Sequence, residues 1–417
     1  MEPLLPFYRA HVENVLLPFW YRALDSERGG IYTCFNNAGT ELVSTDKYTW
    51  SQGRFVWILS QAAAMMRRGS LAGDADFCLD HARRTAEFLR RHVFLDNGNC
   101  AYVLTADGDK KEAIPGLGYD ISFFADCFVV SGFAKYASVS ADRAALADAL
   151  RLYRRIRERL ANGDARSEPY PVPDGFEAQS TPMILLNVAQ ELADTLAAHG
   201  HPEAAAVRAE ASGYMDSIMD RFRDGRLLRE MLPADPRDAD TLLCRHITPG
   251  HAVECMWFVM AEAAKTGRAD RIEQAADVIE RSFELGWDAE YGGLFREVDR
   301  DGGAPKGRLI GGRYEALIVD TWDMKIWWPH SEILYSLLLA HSLTGRSSLL
   351  DKYRTAHDYV FRTFPNPDAA VGEWIQIRDR SGKPVDKTVA LPVKDPYHIL
   401  RNMLLAIELL DGLKKES

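Results

Sequence analysis

The sequence predicts an all-α fold, a closed ring of six helical hairpins known as an (α/α)6 barrel, with residues 1–417 forming one domain. Three observations carry this. A glycine-centred turn recurs near positions 29, 98, 163, 225, 292 and 372, at intervals of about 65 to 80 residues. Each turn follows an amphipathic helical stretch, and each is followed by a second helical stretch that is apolar nearly all round. Six turns imply six outer and six inner helices, about twelve in all. An open α-solenoid is the alternative arrangement of the same hairpins.

The clearest copies of the turn are Asp25-Ser26-Glu27-Arg28-Gly29-Gly30-Ile31-Tyr32 and Asp288-Ala289-Glu290-Tyr291-Gly292-Gly293-Leu294-Phe295. Weaker copies are Asp96-Asn97-Gly98, Asn162-Gly163, Asp224-Gly225 and Val371-Gly372-Glu373-Trp374. Residues 31–35, 101–105, 294–298 and 374–377 alternate in polarity and run into polar, glycine-containing turns. They read as short β-hairpins in the connecting loops at the active-site end. Next come the inner helices, exemplified by Phe55-Val56-Trp57-Ile58-Leu59 and Ile333-Leu334-Tyr335-Ser336-Leu337-Leu338-Leu339. They contrast with the charged outer stretches 82–91 and 204–220. A helix without a polar face is buried, and an amphipathic one covers it.

Composition narrows the function. With 47% hydrophobic residues and nine Trp, the chain can build a large core. A formal charge of -10 and the lack of a basic patch argue against nucleic acid as a partner. The cluster between Arg151 and Arg159 reads as a solvated outer helix face. No leader-like N-terminus and no membrane-length apolar run appear. The six cysteines form no C-x-x-C pair or metal-ligand rhythm, which fits reduced thiols and a cytoplasmic location.

Chemistry gathers where the inner helices begin. Arg54 follows Gly53, His251 follows Pro249-Gly250, His330 follows Pro329 and His398 follows Pro396. If the inner helices run parallel, these residues meet at one mouth. Helix N-termini favour anions and disfavour a protonated imidazole, so a neutral histidine there is a plausible base. His251 and Glu254, and His398 and Arg401, are three apart and share a helix face, whereas Glu332 is two beyond His330. Trp50, Trp327 and Trp328 directly precede inner helices in this reading and can stack on a sugar face or fill core. Glu230 is a candidate ligand for hydroxyls, and His246 is undecided. No metal-site spacing is present.

Four stretches, Asp46-Lys47-Tyr48-Thr49-Trp50-Ser51-Gln52-Gly53-Arg54, Pro249-Gly250-His251-Ala252-Val253-Glu254, Trp327-Trp328-Pro329-His330-Ser331-Glu332 and Tyr397-His398-Ile399-Leu400-Arg401, resemble the N-acylglucosamine 2-epimerase family. The likeness spans nearly the whole chain. It implies the same barrel and reversible inversion at C2 of an aldose, such as N-acetylglucosamine and N-acetylmannosamine. It also implies His251 and His398 as catalytic pair, with Arg54 on the oxyanion. Glu254, Glu332, Arg401 and His330 would contact the substrate, joined by Trp50, Asn187 and Glu230. Residues 181–187 lack the histidine of the cellobiose 2-epimerase and mannose isomerase branches and look like the N-acyl branch. The Lys394-Asp395-Pro396-Tyr397-His398 run departs from that branch's usual last motif. The resemblance further implies that no cofactor is consumed, that ATP can act as an allosteric activator, and that the chain can form a homodimer. An aldose–ketose isomerase, an α/α-barrel glycoside hydrolase using Glu254 and Glu332, and a non-catalytic binding protein are the alternatives.

Overall fold

The computed structural model describes residues 4–416. Its outer helices are α1 (residues 4–22), α3 (Ala75–His92), α5 (Arg143–Asn162), α7 (residues 204–222), α9 (Ala269–Gly286) and α11 (Ser347–Thr363). Its inner helices are α2 (Thr49–Arg67), α4 (Phe123–Ser140), α6 (Ser180–Ala198), α8 (Pro249–Thr266), α10 (Trp327–Thr344) and α12 (Tyr397–Glu416). Each inner helix packs on the next, and α12 returns to pack on α2. That closure makes the ring a barrel and rules out the open solenoid.

Local chemistry explains the elements. Asp74 and Asp142 accept bonds from the first amides of α3 and α5, satisfying donors that a helix start leaves orphaned. The turn at Gly163 is the left-handed C-cap of α5. Inner helices approach closely where side chains vanish. A Cβ on Gly53 would lie 2.4 Å from the Phe128 carbonyl oxygen, and one on Gly132 would lie 2.3 Å from the carbonyl of Gly53. One apolar core runs through both layers.

The extended segments pair differently from the expected hairpins. Val103–Leu104 does fold back on Lys110–Lys111, but it also pairs with Lys47–Tyr48 of the preceding loop. His246–Ile247 pairs with Val298–Asp299, and Lys325–Ile326 with Ile377–Arg378. Residues just before an inner helix thus pair with the next loop along, and the collar joins neighbouring repeats. The two clearest turns share a lock that the sequence reading missed. Buried Lys47 reaches Asp25 at 2.8 Å and the Gly29 carbonyl at 2.8 Å, while buried Lys325 reaches Asp288 at 3.1 Å and the Gly293 carbonyl at 3.3 Å. At the same end, the short helix Arg313–Thr321 packs Tyr314 and Ile318 on Ala178 and Met231, adding a wall above the barrel.

Candidate active site

The starts of the inner helices surround one cavity, lined by Trp50, Arg54, Asn187, Glu230, His251, Glu254, Trp328, Asp395, His398 and Arg401. Tyr170, Tyr314, Arg296 and residues 389–391 form its outer wall. Nine of the ten expected site residues come together here, Glu332 lying just beneath the lining.

His398 is held from both sides. Its Nδ1 lies 2.6 Å from Glu332 Oε1, and its Nε2 lies 3.2 Å from Arg54 Nη2. An arginine only donates and an ionised carboxylate only accepts, so Nδ1 carries the hydrogen and Nε2 presents its lone pair. Burial pushes Glu332 up, but the Arg401 guanidinium and the His398 bond outweigh it and hold the carboxyl well below its usual range. Glu332 also accepts from Trp257 Nε1 at 2.8 Å.

His251 has its own carboxylate, with Nδ1 3.1 Å from Glu230 Oε2. Burial alone would lower the imidazole pKa, yet attraction and the hydrogen bond to Glu230, with Glu297 and Glu254 farther off, raise it above the ordinary histidine value. Reciprocally, Glu230 is held below its usual range against the effect of its own burial. Glu230, read from sequence as a hydroxyl ligand, also partners His251 through Oε2. The Trp328 ring stacks on His251 at 4.9 Å between centroids and lies 5.7 Å from His398. Two carboxylate-bound imidazoles thus flank one indole in one cavity.

The cations are equally fixed. Arg401 Nη2 donates to Glu254 Oε1 and Glu332 Oε1, both at 2.5 Å. Glu254, Glu332 and His398 converge closely enough to suggest a metal site, but the Arg401 guanidinium sits between the two carboxylates. That placement also argues against the glycosidase alternative, in which two carboxyls face a glycosidic bond from either side. Here one guanidinium nitrogen bridges Glu254 and Glu332, and Glu332 is fully buried outside the cavity lining. Arg54 lies over the Phe128 ring at 4.0 Å and donates to Asp395 Oδ2 at 2.9 Å.

His330 needs correction. It is fully buried outside the cavity, packed on Phe364 and Tyr359. Its Nδ1 donates to the Ile326 carbonyl at 2.6 Å, and its Nε2 accepts from the Leu294 amide at 2.9 Å. Burial lowers its pKa to about 3. Neither nitrogen is left for a sugar, so it is a structural peg. Asp395, Trp257, Arg296 and Tyr314 were not singled out from sequence. Asp395 alone carried a signal, because an Asp two residues before an inner helix start suits a cap.

A mostly helical double-layered barrel thus holds two positioned histidines in a mixed apolar and ionic cavity, and the relatives of the chain place it among carbohydrate isomerases. Residues 30–402 match the family model described as N-acylglucosamine 2-epimerase (GlcNAc 2-epimerase). The chain belongs to this family. It is 30% identical to the N-acylglucosamine 2-epimerase of Bos taurus, covering 95% of this chain and 89% of that protein. It is 28% identical to the Homo sapiens protein of the same name, over 95% and 88%, and 22% identical to a cellobiose 2-epimerase of Ruminococcus albus, over 94% and 95%. Among solved structures, a sugar epimerase from a ruminal bacterium superposes with TM-score 0.76 at 19% identity, covering 97% of this chain and 98% of that one. A D-mannose isomerase gives TM-score 0.76 at 15% identity, covering 98% of each. Those two support the fold. Among the described residues, no helix is long and apolar enough to cross a membrane.

Proposed function

We propose that the protein inverts C2 of an N-acylated hexosamine, interconverting N-acetylglucosamine and N-acetylmannosamine. The C2 proton of an aldose is acidified only by an adjacent carbonyl, so the sugar ring opens first. One histidine then removes the proton from one face, giving a 2-acylamino enolate with its charge on the C1 oxygen, and the other histidine delivers a proton to the opposite face. The observation that carries this reading is the pair of imidazoles, His251 and His398, each bound at Nδ1 by a buried carboxylate in one cavity. Binding Nδ1 leaves Nε2 as the working nitrogen of each.

Arg54 is the proposed partner of the developing oxyanion, a task in which losing one donor typically costs about 100- to 1,000-fold in rate. Glu254, Arg401, Trp50 and Asn187 are assigned to sugar hydroxyls, ring face and acyl group, since all line the cavity. Glu332 acts from below, on His398 and Arg401. The named N-acylglucosamine 2-epimerases in Bos taurus and Homo sapiens support the choice of substrate.

The test is to incubate N-acetylmannosamine with the protein in heavy water and locate the label by NMR. Deuterium at C2 of newly formed N-acetylglucosamine is expected. Formation of a ketose instead, from mannose or glucose supplied separately, would move the assignment to an aldose–ketose isomerase on this scaffold.

A further inference from the structure

The last inner-helix motif carries a carboxylate with no role so far in this reaction. Asp395 lines the cavity and is 5% exposed. Its Oδ1 accepts from the Tyr397 amide at 2.9 Å and caps the start of α12. Its Oδ2 accepts from Arg54 Nη1 at 2.9 Å and stands 3.8 Å from His398 Nε2. Gln376 grips its backbone from both sides, accepting from the Asp395 amide at 3.0 Å and donating to its carbonyl at 3.0 Å. Asp395 is therefore immobile before any substrate arrives.

Arg54 depends on that immobility. The aromatic faces of Phe128, Tyr397 and Trp50, at 4.0, 4.8 and 5.0 Å, hold its guanidinium but leave rotation within the plane undetermined. Rotation is set by the two ends of the fork, Nη1 on Asp395 and Nη2 on His398 Nε2. The second bond must break whenever Nε2 takes a proton, because Nε2 then has no lone pair to offer. For that half of the cycle, the bond to Asp395 is the one carboxylate contact left to orient the fork among the described residues.

Charge counting agrees. The run Asp395, Arg54, His398, Glu332, Arg401, Glu254 is continuous through its hydrogen bonds and alternates in sign. With three carboxylates against two guanidiniums, it carries one excess negative charge until His398 is protonated. Asp395 is the carboxylate at the Arg54 end of that run.

We infer that Asp395 is a positioning residue: it keeps the Arg54 fork beside His398, facing the enolate oxygen on C1, while His398 holds the C2 proton. This rests on the 2-epimerase reading above. The experiment is a double-mutant cycle between Asp395→Asn and Arg54→Lys, following kcat and KM for C2 inversion in the full chain. Asn keeps a capping oxygen for Tyr397 and loses the charge; Lys keeps a charge and loses the fork. Asp395→Asn is expected to lower kcat about 10- to 100-fold, with KM within about threefold and the thermal midpoint nearly unchanged. The double variant is expected to match Arg54→Lys alone within about threefold, because Asp395 has no fork left to hold. Asp395→Ser, which also keeps a capping oxygen, repeats the cycle should the Asn variant fail to fold. Multiplicative losses in the double variant, or wild-type kinetics in Asp395→Asn, overturn the inference. A wild-type protein that neither inverts nor exchanges C2 of any aldose overturns the 2-epimerase reading instead.

Discussion

Replacing Glu230 by Gln removes the carboxylate from His251 while keeping its size and an acceptor oxygen. The bond is 3.1 Å long, Glu230 is 4% exposed, and the structure offers His251 no other hydrogen-bonded carboxylate among the described residues. A hydrogen bond to a charged group contributes about 1.5 to 3 kcal/mol, so the step that needs protonated His251 should slow roughly 10- to 150-fold. The direction of the pH effect also follows. Glu230 raises the His251 pKa against burial, so in Glu230→Gln burial dominates and the imidazole loses its proton at lower pH. The limb of the kcat/KM profile that reports His251 therefore moves to lower pH, which initial rates measured in both directions across pH would show. Stability carries a linked signature. The raised His251 pKa contributes stability that is complete below the unfolded pKa and is lost as pH rises through the folded one. The depressed Glu230 contributes stability above its unfolded pKa that is lost as pH falls through the folded one. The variant should lose most relative to wild type between those limits. A Glu230→Gln protein with the wild-type rate and an unmoved profile would refute the reasoning.

Other substitutions probe the frame. His330→Phe leaves the buried Leu294 amide unpaired; chemical denaturation should show a loss of about 1 to 3 kcal/mol, while KM stays near wild type. Gly53→Ala forces a methyl against the Phe128 carbonyl and should cost about 1 to 3 kcal/mol, or more if α2 and α4 cannot separate, again by denaturation. Lys47→Met strands Asp25, whose carboxyl is held down to about 2 by Lys47 and Tyr32 against burial; breaking such a buried pair costs about 3 to 5 kcal/mol. In wild type, Asp25's contribution is present above its unfolded pKa and disappears as pH falls through about 2, so the gap between wild type and Lys47→Met should narrow in acid.

Much of the barrel was legible because its period is written in glycine. The turns at Gly29-Gly30 and Gly292-Gly293 need positive φ, and they mark where each outer helix ends. Pairing between loops was not legible, since Lys47–Tyr48 meets Val103–Leu104 across a whole helix pair, and no local alternation encodes that distance. Among the histidines, the breaker residue was a good guide twice and misleading once. Pro249 is the first residue of α8, and Pro396 immediately precedes α12, so His251 and His398 fall in first turns facing the cavity. Pro329 is the third residue of α10, which begins at Trp327. His330 is thereby rotated toward Tyr359 of α11, and Trp328 takes the place at the cavity. Asp395 was missed as a partner because it acts on Arg54 of the first repeat, a relation that only the closed ring creates, and Glu230 because a long loop with no local pattern separates it from His251.

The central claim is that two bases work on opposite faces of C2. It is tested by following C2 proton exchange in heavy water with His251→Asn and His398→Asn, each supplied with N-acetylglucosamine and N-acetylmannosamine in turn. Both variants should lose inversion, and each should still exchange the C2 proton of one epimer, His251→Asn of one and His398→Asn of the other. Exchange of the same epimer by both variants, or continued inversion in either, would contradict it.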